Sequence, residues 1–399
     1  MYFCKQKIFL HLKKMSIWGF SFTVLELAFI GVLFVAFTYQ LVFYLCYITA
    51  ALRNNRKEKK NKIHFNSNYL PVSVIIYAKN DNDNLQKNLF FFLEQEYPAY
   101  FEVIVITENS TAETDQIISE LKQKYKHLKI TFVPHEIKMI IPRKLALTLG
   151  VKAATSDWVV FANIDSMPED KLWLKQIARN FLPETDFVFA YTSIFKSKKF
   201  YNKIVTYDTF FSQAKMLGYT LRKKTVSGMT GNLAMRKSVF INNKGFKSIL
   251  TLSQGDVEII ANHYARKQNT RVETTADSVI WLNAKKSFVE WFRSHETQLF
   301  TMWQFRFASI WRLNTEKFFR IVFYSAFIAC LLFGDYITMA AAGFMFIARF
   351  ITQCMTVNFS SKYFGGQRYY VSIILFDILL PLIDLYILIF RKKPRKKFN

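Results

Sequence analysis

Apolar and polar positions divide this chain into three textures. Residues 18–50 form an apolar stretch of 33 residues in which Glu26 is the sole acid. The stretch exceeds a signal-peptide core and has no small-residue cleavage site, so it predicts a transmembrane helix that stays attached. From Pro71 apolar runs alternate with helical repeats. VSVIIYA (72–78), EVIVIT (102–107), KITFVP (129–134) and DWVVFANID (157–165) read as strands, with helices over 82–96, 112–126 and 143–154 between them. That alternation predicts a Rossmann-like α/β fold with a mostly parallel sheet and helices on both faces. Ligands of such sheets gather at the carboxyl ends of the strands.

After Phe318 the apolar texture returns. FFRIVFYSAFIACLLF (318–333) and ITMAAAGFMFIARFITQCMTV (337–357), split by Gly334-Asp335, read as a helical hairpin. A last segment from about Tyr370 to Phe390 contains Asp377, Pro381 and Asp384, and could span, kink or lie in the interface. The division is thus a basic tail (1–17), a transmembrane helix (18–50), a basic linker (51–70), an α/β domain (71–300), an interfacial helix (301–317), transmembrane or interfacial helices (318–390) and a basic tail (391–399).

Composition sharpens this. The 399 residues are 51% apolar and include 42 Phe against 12 Gly, which suits helices facing lipid. The net charge of +25 is concentrated beside the apolar segments, at Lys13-Lys14, Arg53 to Lys62 and Arg391 to Lys397. Clusters so placed point to a membrane with anionic lipids, and no aromatic-basic module points to nucleic acid. The excess at 53–62 places the domain on the cytoplasmic side of an inner or plasma membrane. One span before the domain and three after it would put the C-terminal cluster outside, so one element after residue 318 is expected not to cross. Cys4, Cys46, Cys330 and Cys354 show neither metal nor disulfide spacing.

Three strand ends carry candidate chemistry: Ala78-Lys79-Asn80-Asp81, Thr107-Glu108-Asn109-Ser110-Thr111 and Asn163-Ile164-Asp165. Residues 163 and 165 share one face of an extended chain, and their oxygens could hold a divalent cation between nucleotide phosphates. The same residue types also serve as turn and helix caps.

The order of the pieces adds a resemblance. PVSVIIYAKNDNDNLQKNLFFFLEQEYP, FEVIVITENSTAET, PRKLALTLGVKAATSDWVVFANIDSMPEDKLWL, GMTGNLAMRKSVF and LSQGDVEIIANHYARKQ follow one another over about residues 71–300. Together they resemble the family 2 inverting glycosyltransferases, in their membrane-bound, cellulose-synthase-like and ceramide-glucosyltransferase-like branch. The resemblance implies a GT-A nucleotide-sugar-binding domain. Ala78 and Asp81 would flank the base pocket with Glu108 beside it, and Lys144 would reach the diphosphate. Asn163 and Asp165 would stand at the family's Asp-x-Asp, with Asp165 ligating Mg²⁺ or Mn²⁺. Gly231 and Asn232 would line the acceptor side, and Asp256 would be the catalytic base.

The chemistry needs these types. A departing nucleoside diphosphate needs positive charge, and an acceptor hydroxyl needs a carboxylate to take its proton. Three positions depart from the pattern. Thr107 stands for the usual base-binding aspartate, and Asn163 for the first acid, which implies weaker metal binding. Ser294-His295-Glu296-Thr297-Gln298 stands for Gln-x-x-Arg-Trp, which implies single-sugar transfer. The expected function is transfer of one sugar from a nucleotide-sugar donor to a lipid-linked or polysaccharide acceptor at the membrane surface. The alternative is a degenerate member acting as a binding or scaffold subunit. His295 reads as a surface or packing residue or as a catalyst; Trp291, Phe292, Trp303 and Phe305 read as an aromatic belt or an acceptor groove.

Overall fold

A computed structural model describes residues 14–17, 20–79, 82–108, 110–133, 141–199, 201–228, 230–250, 252 and 254–391. Asp81 lies outside the described residues.

A short hairpin, Lys14–Ile17 (β1) with Phe20–Thr23 (β2), leads into the long helix Val24–Phe43 (α1). Through a π-helical turn at Tyr44–Ile48 that helix continues into Ala50–Glu58 (α2). Helix therefore overruns the expected linker. Ala50 and Ala51 are buried, and Arg56 and Lys57 sit in the last turn, where positive charge favours a helix end.

The domain alternates as its sequence pattern predicts. Val72–Lys79 (β3), Asn82–Leu93 (α3), Phe101–Glu108 (β4), Ala112–Lys124 (α4), Leu128–Phe132 (β5), Pro142–Ala153 (α5) and Trp158–Asn163 (β6) give four parallel strands. Ile75 and Tyr77 face one layer of the core; Val74, Ile76 and Ala78 face the other. Pro142 opens α5 at a position suited to proline, and Gly150 lets that helix lie close on the sheet. A Cβ there would stand 2.8 Å from both Ile75 and Ile106.

The second half is built from short pieces: Ser166–Pro168 (β7), Trp173–Ala178 (α6), Phe187–Phe189 (β8), Thr192–Ile194 (β9), Asn202–Leu221 (α7), Leu233–Arg236 (β10), Lys237–Asn242 (α8), Val257–Tyr264 (α9), Thr270–Val272 (β11) and Ile280–Leu282 (β12). The main sheet has seven strands in the order β11-β8-β10-β6-β3-β4-β5, and β10 runs antiparallel to both neighbours. A three-stranded sheet, β7-β12-β9, stands beside it.

The remaining helices are Phe288–Met302 (α10), Phe307–Phe333 (α11), Tyr336–Tyr363 (α12) and Ser372–Phe390 (α13). The expected interfacial helix over 301–317 is not a separate element. Helix α10 ends at Met302, and α11 starts at Phe307 and runs on past residue 317, where Glu316 and Arg320 pair one turn apart at 2.6 Å. Among the described residues three helices are long and apolar enough to cross a membrane: Val24–Glu58, Tyr336–Tyr363 and Ser372–Phe390.

Contacts fix how these helices run. Gln40 reaches the carbonyl of Glu316, and Glu26 accepts the N–H of Asp335, so α11 is antiparallel to α1 along its length. Arg349 meets Gln40 and Ser360 meets Ile48, so α12 runs parallel to α1. Helix α13 lies differently. Phe376 packs on Tyr207 of α7 with Tyr369 beside it, while Ile387 packs with Leu299 and Phe300 of α10. Both of its ends therefore touch the domain. Asp377 binds Arg320 at 3.3 Å and Arg349 at 2.6 Å, so these buried charges are paired.

Candidate active site

The parallel register sets the strand ends side by side: Lys79 opposite Glu108, and Tyr77 opposite Asn163. Tyr77, Lys79, Arg143, Asn163, Asp165, Glu290 and Arg293 are in the wall of a cleft of about 640 Å³ at this edge. Lys79 binds Glu108 at 2.7 Å, and the Tyr77 hydroxyl donates to the other oxygen of that carboxylate. Burial, and the bonded Glu108 carboxylate after it, push the Tyr77 hydroxyl well above its ordinary pKa, so it stays a proton donor.

A second compartment of about 380 Å³ opens beside the first, and the two share Arg143, Asn163, Ser294 and Thr297. Its wall includes Asp256, Glu258, Asp208, Gly231, Thr192, Gln254 and Trp291. Asp256 caps α9, accepting the N–H of Val257 at 2.6 Å. Before it stands Gly255 at φ +76°, a left-handed conformation that suits glycine.

Arg143 joins the two compartments. Its Nε donates to Asp256 at 2.5 Å and its Nη2 to the Asn163 carbonyl oxygen at 3.0 Å, while the guanidinium lies over the Tyr77 ring. Burial opposes its charge, yet Asp256, Glu258 and Asp165 outweigh burial and raise its pKa. All three carboxylates thus act on one guanidinium.

The expected site residues fall into two groups. Glu108, Asn163, Asp165, Gly231 and Asp256 come together around this cleft. Ala78 is buried in the opposite core layer, because alternation turns Tyr77 and Lys79, and not residue 78, toward the ligand edge. Asn232 is fully buried, accepting from the Trp173 indole and donating to the carbonyls of Tyr191 and Ser278. It fastens the strands, with both of its amide N–H donors engaged.

Lys144 is likewise held elsewhere. Its amine donates to the carbonyls of Ile249 and Leu252, at 2.6 and 2.5 Å, and burial lowers its pKa to about 8. The cleft is lined instead by its neighbour Arg143. Arg143 precedes Ala146, Leu147 and Gly150 by three, four and seven residues, which puts it in the middle of the sheet-facing stripe of α5. That spacing was the signal available for Arg143. Thr111 caps α4, accepting the N–H of Thr114 at 3.2 Å, so part of the second strand end is structural.

His295 is neither a surface residue nor exposed to the cleft as a free base. Its Nδ1 meets Asp208 at 2.8 Å and its Nε2 meets Asp384 of α13 at 2.7 Å. Burial works against the imidazolium, but the two carboxylates win and push its pKa up to about 10. The aromatic set divides: Trp291 and Phe305 line the second compartment, while Trp303 is exposed.

The family model described as Glycosyl transferase family 2 matches residues 73–243. That stretch is a family 2 glycosyltransferase domain. Among solved structures, the mannosyltransferase PcManGT from Pyrobaculum calidifontis, in complex with GDP-Man and Mn²⁺, superposes on this glycosyltransferase with a TM-score of 0.58. It is 16% identical, and the match covers 92% of this chain and 100% of that one, a likeness of fold. S. aureus TarS 1-349 superposes with a TM-score of 0.39 at 16% identity, over 74% of this chain and 83% of its own. No curated protein matches the chain.

The glycosyltransferase offers a divalent ion a small set of ligands. Asp165 supplies a carboxylate, and the Asn163 oxygen already accepts from Arg143. Among the described residues no three His, Cys, Asp or Glu gather closely enough to hold a metal. This set fits a weakly held ion that shares its coordination with a bound diphosphate.

Proposed function

We propose that the protein moves one sugar from a nucleotide-sugar donor to a membrane-associated acceptor, with inversion at the transferred carbon. One observation carries the reading: Asp165 and Asp256 line adjoining compartments that meet at Arg143. The nucleotide lies in the first compartment, with Glu108 and the edge formed by Tyr77 and Lys79 near its base and ribose. Asp165, with Asn163 beside it, would hold Mg²⁺ or Mn²⁺, which supplies positive charge to the leaving diphosphate.

Arg143 supplies a second, permanent charge. An aspartate at 163 would bind it as a salt bridge, whereas Asn163 accepts one hydrogen bond and leaves the charge free for phosphate. A carboxylate paired at 2.5 Å is a poor base. The incoming diphosphate competes for the guanidinium, and Asp256 then takes the proton of an acceptor hydroxyl in the second compartment. Sugar-donor binding in this way activates the base.

The membrane reading follows from the helix contacts. Helix α11 is not one of the three helices that length and hydropathy alone would let cross, but it lies antiparallel along α1. It would cross with α1 and α12, with the Glu26 and Asp335 end on the far side. Helix α13 stays at the interface beneath the domain, apolar as it is, because both of its ends touch the domain. Three crossings around a cytoplasmic domain would return the C-terminal basic tail to the cytoplasm, in line with the positive-inside rule. Arg53, Arg56 and Lys362 border an interfacial cleft with exposed Met355 and Phe359, which suits the phosphate and chain of an anionic lipid.

The scaffold reading draws on the same Arg143–Asp256 pair and on Asn163. A panel of UDP- and GDP-sugars, assayed for nucleotide release by purified protein with and without Mn²⁺, separates the two. Turnover of one sugar donor is expected; nucleotide binding without release under every condition would leave only the scaffold.

A further inference from the structure

We propose that the second compartment takes an uncharged saccharide as acceptor and excludes acceptors that present a phosphate. The inference rests on the sugar-transfer reading above and concerns which nucleophile enters it. The Thr192 side chain is 1% exposed and lines this cavity, yet its hydroxyl has no hydrogen-bond partner among the described residues. The Gln254 side-chain oxygen is also buried, in the same wall and without a hydrogen-bond partner among the described residues. Buried polar atoms of this kind cost stability unless a ligand or water meets them. Both are neutral, and both match the two-way hydrogen bonding of a sugar hydroxyl.

Charge gives the second argument. Asp208, Asp256 and Glu258 face the cavity, and each cation in its wall is already engaged. Arg143 binds Asp256, His295 lies between Asp208 and Asp384, and Lys285 stands 3.9 Å from Glu290. With Arg143 given to the donor diphosphate, a phosphate dianion entering here would meet carboxylates with only Lys285 and the doubly bonded His295 to offset them. Three cations, Lys79, Arg143 and Arg293, border the first compartment, where a diphosphate would compete for Lys79 and Arg143 with their carboxylates. Trp291 adds an aromatic wall, so one cleft takes the anionic group and the other the neutral one.

The transfer step balances on these groups. The acceptor hydroxyl oxygen forms a bond to the anomeric carbon as that carbon's bond to the diphosphate oxygen breaks. The bonding electrons leave on the nucleoside diphosphate, and the hydroxyl proton passes to Asp256.

The test uses the full chain in lipid nanodiscs. UDP and GDP binding is measured first by calorimetry. Sugar-nucleotide turnover is then followed with octyl glycosides of glucose, galactose, mannose and N-acetylglucosamine, or with undecaprenyl phosphate, as acceptor. At least one glycoside is expected to stimulate nucleotide release about tenfold or more, and undecaprenyl phosphate is not expected to stimulate it. Thr192→Val, close in shape, is expected to raise the glycoside KM by about tenfold while leaving UDP and GDP affinity unchanged, the loss of one hydrogen bond. Gln254→Ala should do the same should Thr192→Val fail to fold. Stimulation by undecaprenyl phosphate overturns the inference, as does nucleotide binding without stimulation by any glycoside. Failure to bind either nucleotide would instead bring down the sugar-transfer reading itself.

Discussion

Arg143→Gln is the most informative single substitution. Glutamine can keep one hydrogen bond to Asn163 or Asp256, but it removes the charge that touches both. A unit charge about 4 Å from a phosphate oxygen is worth about 4 kcal/mol at an effective dielectric near 20. The Arg143 side chain is 34% exposed, so solvent screening brings that to about 2 kcal/mol for the bound diphosphate. Charge grows on the leaving oxygen in the transition state, where loss of one fixed stabilising group costs about 2.7–4 kcal/mol. The variant should therefore lose about 100- to 1,000-fold in kcat, with a smaller weakening of nucleotide affinity. Arg143→Lys keeps the charge but not the fork and should fall between. Initial rates of nucleotide release, paired with calorimetric nucleotide binding, separate the two effects. A folded Arg143→Gln variant within about threefold of the parent in both would refute the role given to this residue.

Asp256→Asn should abolish transfer and leave nucleotide binding intact, since asparagine can still cap α9; measurable turnover would move the base elsewhere. Asp165→Ala should weaken Mn²⁺-dependent nucleotide binding, and Asn163→Asp should tighten Mn²⁺ binding, both read by calorimetry. Lys144→Met should lower thermal stability, because the carbonyls of Ile249 and Leu252 lose their partner, but it should not change nucleotide affinity; a large loss of affinity would restore Lys144 to the cleft. His295 has a folded-state pKa near 10 against an ordinary 6.5. Its stabilisation is complete below about pH 6.5 and is lost as pH rises through about 10. The melting temperature should fall between those values, and His295→Gln should flatten that dependence; parallel curves would deny the bridge between α10 and α13.

The parallel half of the sheet was legible because its strands are runs of β-branched residues buried on both faces, and helical repeats separate them. The antiparallel half was not. Strands such as Phe187–Phe189 and Ile280–Leu282 are three residues long, too short for any periodicity to register. At the site, Glu108, Asn163 and Asp165 could be found because strand ends present them, and Asp256 through the resemblance carried by the stretch around it. Lys144 and Asn232 misled because residue type says nothing about which carbonyls lie near, and those partners come from loops far along the chain. His295 was opaque for the same reason: its two carboxylates sit 87 and 89 residues away. In the C-terminal helices hydropathy leaves α13 free to span, while contact with the domain at both ends argues that it lies flat.

A cryo-electron microscopy structure of the full chain in nanodiscs, with the nucleoside diphosphate that binds best and Mn²⁺, tests the central claim most directly. The account predicts diphosphate density against Arg143 and Asp165, with the Asp256 carboxylate facing the same density from the second compartment. Nucleotide bound elsewhere, or the two carboxylates opening onto separate surfaces, would contradict it.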